Sequence, residues 1–318
     1  MTAQPTELRL RKICLEAEDI CSYEFVAADG GVLPPFGAGA HLDLQLPGGR
    51  VRSYSLAALP DDRASYLIAV QREEHGRGGS TWMHESLRVG QTLRAALPSN
   101  DFPLNETAGH SVFIAGGIGI TPIISMIARL EELGRSWELH YATRGPQYTA
   151  FMSQLEQLER GRGRVSYCFN SDRAARLDLS RIVSTADAET HLYCCGPARM
   201  IDAFLEAGRG RSASTMHFER FAAADEPAVE GGYTVVLNRT GKRLTVEPGK
   251  TILETLLDEN VPVDYACSNG ICGTCLTSVI SGVPDHRDDF LSEEERRSGK
   301  SMLVCCSGSL TPELILDI

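Results

Sequence analysis

The chain has no run of about 18 consecutive apolar residues, so no transmembrane helix is expected. Its opening, Met1-Thr2-Ala3-Gln4-Pro5-Thr6-Glu7, lacks the apolar core of a secretory signal, and export is not expected. A basic excess is also missing: 31 Lys plus Arg stand against 42 Asp plus Glu, a formal net charge of −11. A nucleic-acid binder would carry the opposite footprint. Small-molecule chemistry remains, or a protein partner with a basic docking face. There is no internal repeat and no low-complexity tract, which excludes solenoid architectures and biased linkers as the main theme. A cytoplasmic protein without membrane or nucleic-acid contact is the expectation.

What is present points to several domains and to redox chemistry. The length of 318 residues suggests two domains, or three compact ones. Hydrophobic residues make up 42% and charged residues 23%, which are globular values. Ten cysteines are many for a cytoplasmic chain. Cys14, Cys21 and Cys168 are scattered, Cys194-Cys195 and Cys305-Cys306 are adjacent, and Cys267, Cys272 and Cys275 crowd together. Disulfide frameworks belong to small secreted domains, so clustered thiols here indicate metal or redox chemistry.

Residues 1–105 read as β. His41-Leu42-Asp43-Leu44-Gln45-Leu46 alternates with period two, Pro47-Gly48-Gly49 is a turn, and 50–56 and 66–70 are further strands. Short strands broken by Pro and Gly predict an antiparallel β-barrel. Residues 106–226 alternate strand and helix: strands at 112–115, 139–142, 165–169 and 192–194, helices at 121–133 and 154–158. That pattern predicts an α/β domain with a parallel sheet. The polar stretch Ala222-Ala223-Ala224-Asp225-Glu226-Pro227 is a linker. Residues 227–318 form a third domain, with a hairpin from 233–237 and 242–246, a helix at 251–259, and then the cysteine cluster.

Cys267, Cys272, Cys275 and Cys305 have the spacing C-x4-C-x2-C-x29-C, whose first part is that of a plant-type 2Fe–2S loop. Two irons need four thiolates, and a short loop can supply three if its backbone wraps tightly. Gly270 and Gly273 permit positive φ, so that amide groups can face the sulfurs. The alternatives are a zinc site or ordinary buried cysteines; structural zinc usually pairs two such knuckles or adds His ligands, and only one knuckle is present here. Cys306 competes with Cys305 for the fourth position on spacing alone.

The segment 233–318 resembles plant-type ferredoxin domains, and more narrowly the C-terminal domain of the phthalate dioxygenase reductase and vanillate demethylase reductase family. The resemblance implies an α+β β-grasp fold. It also implies Cys305 as the fourth ligand, because the family's last cysteine directly follows an apolar run, as in Met302-Leu303-Val304-Cys305-Cys306-Ser307. Gly308-Ser309 depart from the family's Arg-Ala at that place. Asp285-His286-Arg287-Asp288 also recurs in these relatives, with His286 read as structural.

Two further strings extend the resemblance to the ferredoxin–NADP reductase superfamily. Arg52-Ser53-Tyr54-Ser55 is its R-x-Y-S pattern; an aromatic can pack on an isoalloxazine ring, Arg can neutralise phosphate, and Ser can bond near N5. Gly76-Arg77-Gly78-Gly79-Ser80 precedes a helix predicted over 81–87 and could present N–H groups to a phosphate. The relatives imply a flavin lined by the backbone of Ala69, Val70 and Gln71, held by Gly78, Gly79, Ser80 and Thr121, and covered by Phe221. They imply FMN rather than FAD. In the middle domain, Ala115-Gly116-Gly117-Ile118-Gly119-Ile120-Thr121-Pro122 follows a strand and opens a helix. It is not the ordinary G-x-G-x-x-G string, but glycines and a helix N-terminus suit a pyrophosphate in the same way. Cys194-Cys195-Gly196-Pro197 with Met200 is its second half, and the superfamily places Cys195 beside the nicotinamide. Arg144 and Asp172 are assigned to the far end of the dinucleotide. An acid at 172 repels a 2′-phosphate and can bond a ribose hydroxyl, so NADH is the expected coenzyme.

The implied activity is that of a monomeric reductase that takes electrons from NADH through FMN and a 2Fe–2S cluster to a Rieske-type terminal oxygenase. The alternatives are an FAD-dependent reductase of another oxygenase class and a redox-sensing iron–sulfur flavoprotein. Asp172→Arg is expected to lower kcat/KM for NADH and raise it for NADPH. Wild-type preference for NADPH would defeat the assignment.

Overall fold

The computed structural model describes residues 5–59, 63–74, 78–159, 161–169, 177–221 and 226–318. The chain divides into two compact units, Met1–Leu46 with Ser53–Arg220, and Pro47–Arg52 with Phe221–Ile318. Among the described residues no helix is long and apolar enough to cross a membrane.

The first unit holds two sheets. Strands β1 (Thr6–Ala17), β2 (Ile20–Ala27), β3 (His41–Leu46), β4 (Arg50–Ser55), β5 (Tyr66–Gln71) and β6 (Thr92–Ala95) form an antiparallel sheet in the order β4-β3-β6-β1-β2-β5. Alternation sets its inside: Leu42, Leu44 and Leu46 of β3 are buried together with Leu8, Leu10, Tyr23, Phe25 and Ile68. The β1–β2 hairpin turns on Asp19 at φ 62°, a left-handed position that Asp tolerates. A short helix, α1 (Gly79–Glu85), crosses this sheet's end; it starts two residues before the predicted helix because Gly78, at φ 75°, is its cap.

The second sheet is parallel, in the order β11-β10-β7-β8-β9, from β7 (His110–Gly116), β8 (Ser136–Thr143), β9 (Gly163–Phe169), β10 (His191–Cys195) and β11 (Met216–Glu219). From Ser111 to Gly116 every residue of β7 is buried, as a central strand covered on both faces requires. Helices α2 (Ile120–Glu132), α3 (Met152–Glu159), α4 (Leu179–Thr185) and α5 (Ala198–Ala207) make the connections.

The second unit carries a five-stranded sheet in the order β13-β12-β18-β14-β16, from β12 (Tyr233–Leu237), β13 (Arg243–Val246), β14 (Leu276–Ser281), β16 (Ser301–Leu303) and β18 (Glu313–Leu316). Two short strands, β15 (Pro284–Asp285) and β17 (Gly308–Ser309), pair separately. The hairpin β12–β13 with β18 parallel to β12 is the core of a β-grasp. Helix α6 (Ile252–Asp258) lays Ile252, Leu253 and Leu256 into one core with Val235, Leu244, Val246 and Leu314. Helix α7 (Glu293–Ser298) is solvent-exposed. Both have capping boxes, Thr251 with Glu254 and Ser292 with Glu295, so that two otherwise orphaned amides are satisfied at each start.

Thr251→Ala removes the α6 cap while leaving the core intact, and should cost about 1 kcal/mol of stability. Denaturant unfolding followed by circular dichroism reads that loss; an unchanged midpoint would show that the cap carries no net stabilisation.

Candidate functional site

Parallel pairing sets Cys195 opposite Ala115, so the turns that follow β10 and β7 meet at one edge of the sheet. They meet too closely for side chains. A Cβ on Gly119 would lie 2.2 Å from the Cys195 carbonyl oxygen, and one on Gly116 2.7 Å from Pro197 Cδ and 2.8 Å from Met200 Cε. The glycines therefore serve the packing of Cys195-Gly196-Pro197 and Met200 as well as any ligand. Gly117, at φ 54°, leads into α2, and its carbonyl accepts a hydrogen bond from the Tyr141 hydroxyl at 3.1 Å. Thr121 is buried and donates to the Ile118 carbonyl at 3.0 Å, so its hydroxyl is engaged in the turn. Pro122 sits buried in the first turn of α2, where no N–H is missed. The Ile120 amide is bonded to the Gly117 and Ile118 carbonyls, and the dipole at this helix start favours an anion such as a pyrophosphate.

Cys195 is fully buried and in register with Glu219 of the neighbouring β11. Its thiol donates to Glu219 Oε2 at 3.9 Å. Burial, and then Glu219, push the thiol far above its ordinary range, so it is not a thiolate nucleophile. Burial, reinforced by the charge of Asp101, pushes the Glu219 carboxyl up to about 8, against a smaller opposing effect of the bond from Cys195. At neutral pH the pair is largely uncharged. Cys194 packs with Val112, Ile114 and Phe204 in the core. Sequence reasoning passed over Glu219; an acid at the end of the edge strand Met216–Glu219 has no periodic signal, and only the strand register reveals its neighbour. Phe221 is half-buried two residues beyond β11. Arg144 is exposed after β8 and stacks over the Tyr148 ring at 3.9 Å. Asp172 lies outside the described residues.

In the antiparallel sheet, the Leu56–Ile68 bridge brings the end of Arg52-Ser53-Tyr54-Ser55 beside the strand that contains Ala69, Val70 and Gln71. Ser55 is buried, while Tyr54 is part-buried and packs on the sheet's core. Ser53 donates to Asp43, and Arg52 donates to the Val51 carbonyl at 2.8 Å. β5 is an outer strand, which leaves one line of its backbone available to a planar heterocycle. Part of that edge is already used: His84 Nε2 donates to the Val70 carbonyl at 2.9 Å and clamps α1 onto β5. His84 was not singled out in the sequence. Ser80 Oγ accepts from the Glu73 amide at 3.0 Å, tying the glycine turn to the end of β5. Gly78 and Gly79 open α1, whereas Gly76 and Arg77 lie outside the described residues. Gln71 Oε1 lies 4.0 Å from where a Gly117 Cβ would be, so the end of β5 reaches the nucleotide turn. These residues would suit a flavin held along β5.

The cysteine loop precedes β14. Ser268, Gly270 and Gly273 have φ of 56°, 75° and 75°. A Cβ on Gly273 would strike the Phe290 ring at 2.3 Å, so only glycine allows the ring to cover the loop. The Asn269 amide donates to Cys267 Sγ at 3.3 Å, and the Thr274 hydroxyl lies 3.3 Å from Cys272 Sγ. Further backbone donors reach Cys267 from Ile271, Cys272 from Thr274, and Cys275 from Cys305. Such donors stabilise anionic sulfur. Cys267 faces Cys272, which pushes the Cys267 thiol up while Cys272 is lowered, and Cys305 faces both Cys275 and Cys306 and pushes both up. Among the described residues no group of three or more His, Cys, Asp or Glu side chains is already gathered around a metal position. Facing thiols with inward amides suit a binuclear cluster. Cys306 is buried, with Sγ 3.8 Å from the Leu303 carbonyl and 3.9 Å from Ser307 Oγ.

Comparison with known proteins agrees with both halves of this description. Residues 235–308 match the family model of the 2Fe-2S iron-sulfur cluster binding domain, and residues 113–206 that of the oxidoreductase NAD-binding domain. The chain is 46% identical over 318 residues to phenoxybenzoate dioxygenase subunit beta of Ectopseudomonas oleovorans, covering 100% of this chain and 98% of the relative. It is also 46% identical to tetrachlorobenzoquinone reductase of Sphingobium chlorophenolicum, covering 98% of each. The solved structure of phthalate dioxygenase reductase, a modular protein for electron transfer from pyridine nucleotides to [2Fe-2S], superposes with a TM-score of 0.88 at 36% identity over 99% of this chain and 98% of the other.

Cys305→Ser should abolish the visible absorption of the cluster while flavin absorption remains, and Cys306→Ser should retain both. Loss of the cluster from Cys306→Ser alone would reverse the ligand assignment.

Proposed function

The chain belongs to the phthalate dioxygenase reductase family, and from that premise we propose that it is the electron-supplying reductase of a Rieske-type oxygenase, using NADH, FMN and its 2Fe–2S cluster. Its domains on this reading are 1–105 for FMN, 106–226 for NAD and 227–318 for the cluster. When bound, flavin supplies a two-electron acceptor for hydride that can release electrons singly to a one-electron cluster.

The observation that carries the reading is the meeting, at one sheet edge, of the Gly116–Gly119 turn, Cys195 with its neutral Glu219 partner, and the end of β5. The start of α2 and Arg144 bind the dinucleotide. Met200 and Pro197 fill the space beside Gly116, so a nicotinamide would have to bind elsewhere along this turn. Cys195 and Glu219 present a compact, uncharged wall, and Glu219 holds a proton at its carboxyl near neutral pH. Such a wall does not trap a cationic oxidised nicotinamide by ion pairing. Tyr54 and Ser55 would hold a flavin by ring packing and a hydroxyl hydrogen bond, and Arg52 and Phe221 are the further residues the family resemblance assigns to it.

A second reading, direct reduction of a quinone, is favoured by the equal identity to tetrachlorobenzoquinone reductase. Turnover of NADH with chlorinated quinones, compared with turnover supported by a purified oxygenase, separates the two acceptors.

Residues 231–318 hold 8 Lys plus Arg against 13 Asp plus Glu, a balance of −5, and an oxidised cluster adds negative charge. Asp289, Glu293, Glu294 and Glu295 are exposed close to Phe290 in sequence. This face suits a basic acceptor. Electron transfer to the oxygenase should slow as ionic strength rises, since the Debye length falls to about 10 Å at 0.1 M. Reduction of flavin by NADH should respond far less. Stopped-flow traces across a salt series read both steps; salt-independent transfer to the native acceptor would favour apolar docking.

A further inference from the structure

The turn that carries Cys305 is fastened from outside the cysteine loop, and its most unusual fastening is a carboxylate. Within the turn, the Leu303 carbonyl accepts from the Cys306 amide at 3.3 Å and the Ser307 amide at 3.0 Å. From α6, the Leu253 amide donates to the Val304 carbonyl at 2.9 Å, and the Ala228 amide donates to the Cys306 carbonyl at 2.8 Å. On the remaining side lies Asp288, whose side chain has no solvent exposure. One oxygen accepts from the Leu291 amide at 2.8 Å; the other accepts from the Ser307 hydroxyl at 3.4 Å. The same hydroxyl accepts from the Arg287 amide at 3.2 Å, so Ser307 joins two strands of the loop to the ligand turn.

A carboxylate is a costly way to tie a loop. Taking it out of water carries a desolvation penalty that hydrogen bonds must offset. A neutral Asn offers the same acceptor to the Leu291 amide. The neighbouring cationic groups neutralise Asp288 only in part: Arg296 Nη2 is 3.9 Å from its carboxylate and donates instead to its backbone carbonyl, and His286 Nδ1 is 3.5 Å away. Neither nitrogen of the His286 ring makes a hydrogen bond. A partly compensated negative charge is thus buried one hydrogen bond from Ser307, which stands two residues after Cys305 in the same turn. In a medium of low dielectric such a charge acts over several ångströms and opposes the addition of an electron nearby.

We propose that Asp288 is a positioning residue of the iron–sulfur centre, tethering the Cys305 turn through Ser307 and holding the cluster's reduction potential down by its buried charge. The inference rests on the 2Fe–2S assignment and is independent of which acceptor the reductase serves.

Asp288→Asn and Ser307→Ala separate charge from tether in the full-length holoprotein. Asp288→Asn keeps an acceptor for Leu291 and removes the charge. It should retain the cluster's visible spectrum and shift its midpoint potential upward in a spectroelectrochemical titration. Ser307→Ala keeps the charge and removes the tether. It should leave the potential near the wild-type value and accelerate cluster loss to a chelator several-fold, followed by visible absorption. Asp288→Ala should show both effects; if it fails to fold, the other two variants decide. An unchanged potential in Asp288→Asn overturns the electrostatic role, and wild-type cluster retention in Ser307→Ala overturns the tether. A wild-type protein that holds no cluster would instead overturn the 2Fe–2S assignment itself, and flavin or quinone assays would not enter that judgement.

Discussion

Backbone-on-backbone contact between the turns after β7 and β10 governs the nucleotide-binding half of the protein. With Gly119 seated against the Cys195 carbonyl and Gly116 against Pro197 and Met200, a methyl group at either position has nowhere to go. The contact follows from the parallel pairing of two central strands, one of them buried along nearly its whole length. Because those strands are fixed by their cores, so are the ends of the turns, the start of α2, and the position of Cys195. β11 then adds Glu219 by register alone. Every group at this edge is placed by rigid sheet, which is the arrangement that hydride transfer between two planar rings requires, since a small misplacement is costly in rate.

The chemistry of that edge is set by the absence of water as much as by residue type. In solvent the carboxyl beside this thiol would be an anion. Buried, they share a proton-rich, uncharged state, and the carboxyl remains largely protonated near neutrality. The cysteine loop uses the reverse principle. There, left-handed residues turn backbone amides toward sulfur, as the Asn269 amide does toward Cys267. One chain therefore holds Cys195 neutral by burial and supplies donors to sulfurs of its cysteine loop.

Legibility in the sequence followed periodicity and spacing. The strands at 41–46, 112–115 and 139–142 were readable because burial alternates or runs continuously there. The C-x4-C-x2-C spacing announced the cluster because loop geometry tolerates few other spacings. β1 escaped specific placement because Arg11, Lys12 and Cys14 interrupt its alternation beyond Leu10. Glu219 and His84 were not legible at all: each acquires meaning from a neighbour distant in sequence, Cys195 in one case and the Val70 carbonyl in the other. Asp285-His286-Arg287-Asp288 was visible as a string, but nothing in it distinguishes its two acids, and only burial shows Asp288 fully enclosed.

The bond from the Ala228 amide to the Cys306 carbonyl has a consequence for how this module can be moved between proteins. Ala228 is buried, and a Cβ on Gly308 would meet its side chain at 2.7 Å. Gly249 also donates to the Val229 carbonyl at 2.7 Å. The stretch before β12 is thus sewn into the ferredoxin fold rather than strung between folds. A graft that begins at the first strand, Tyr233, would leave the ligand turn with an unmet carbonyl and an uncovered face. Gene fusions and domain exchanges that retain a stable cluster must cut upstream of Pro227, so the natural unit of recombination is longer than the sheet that defines it.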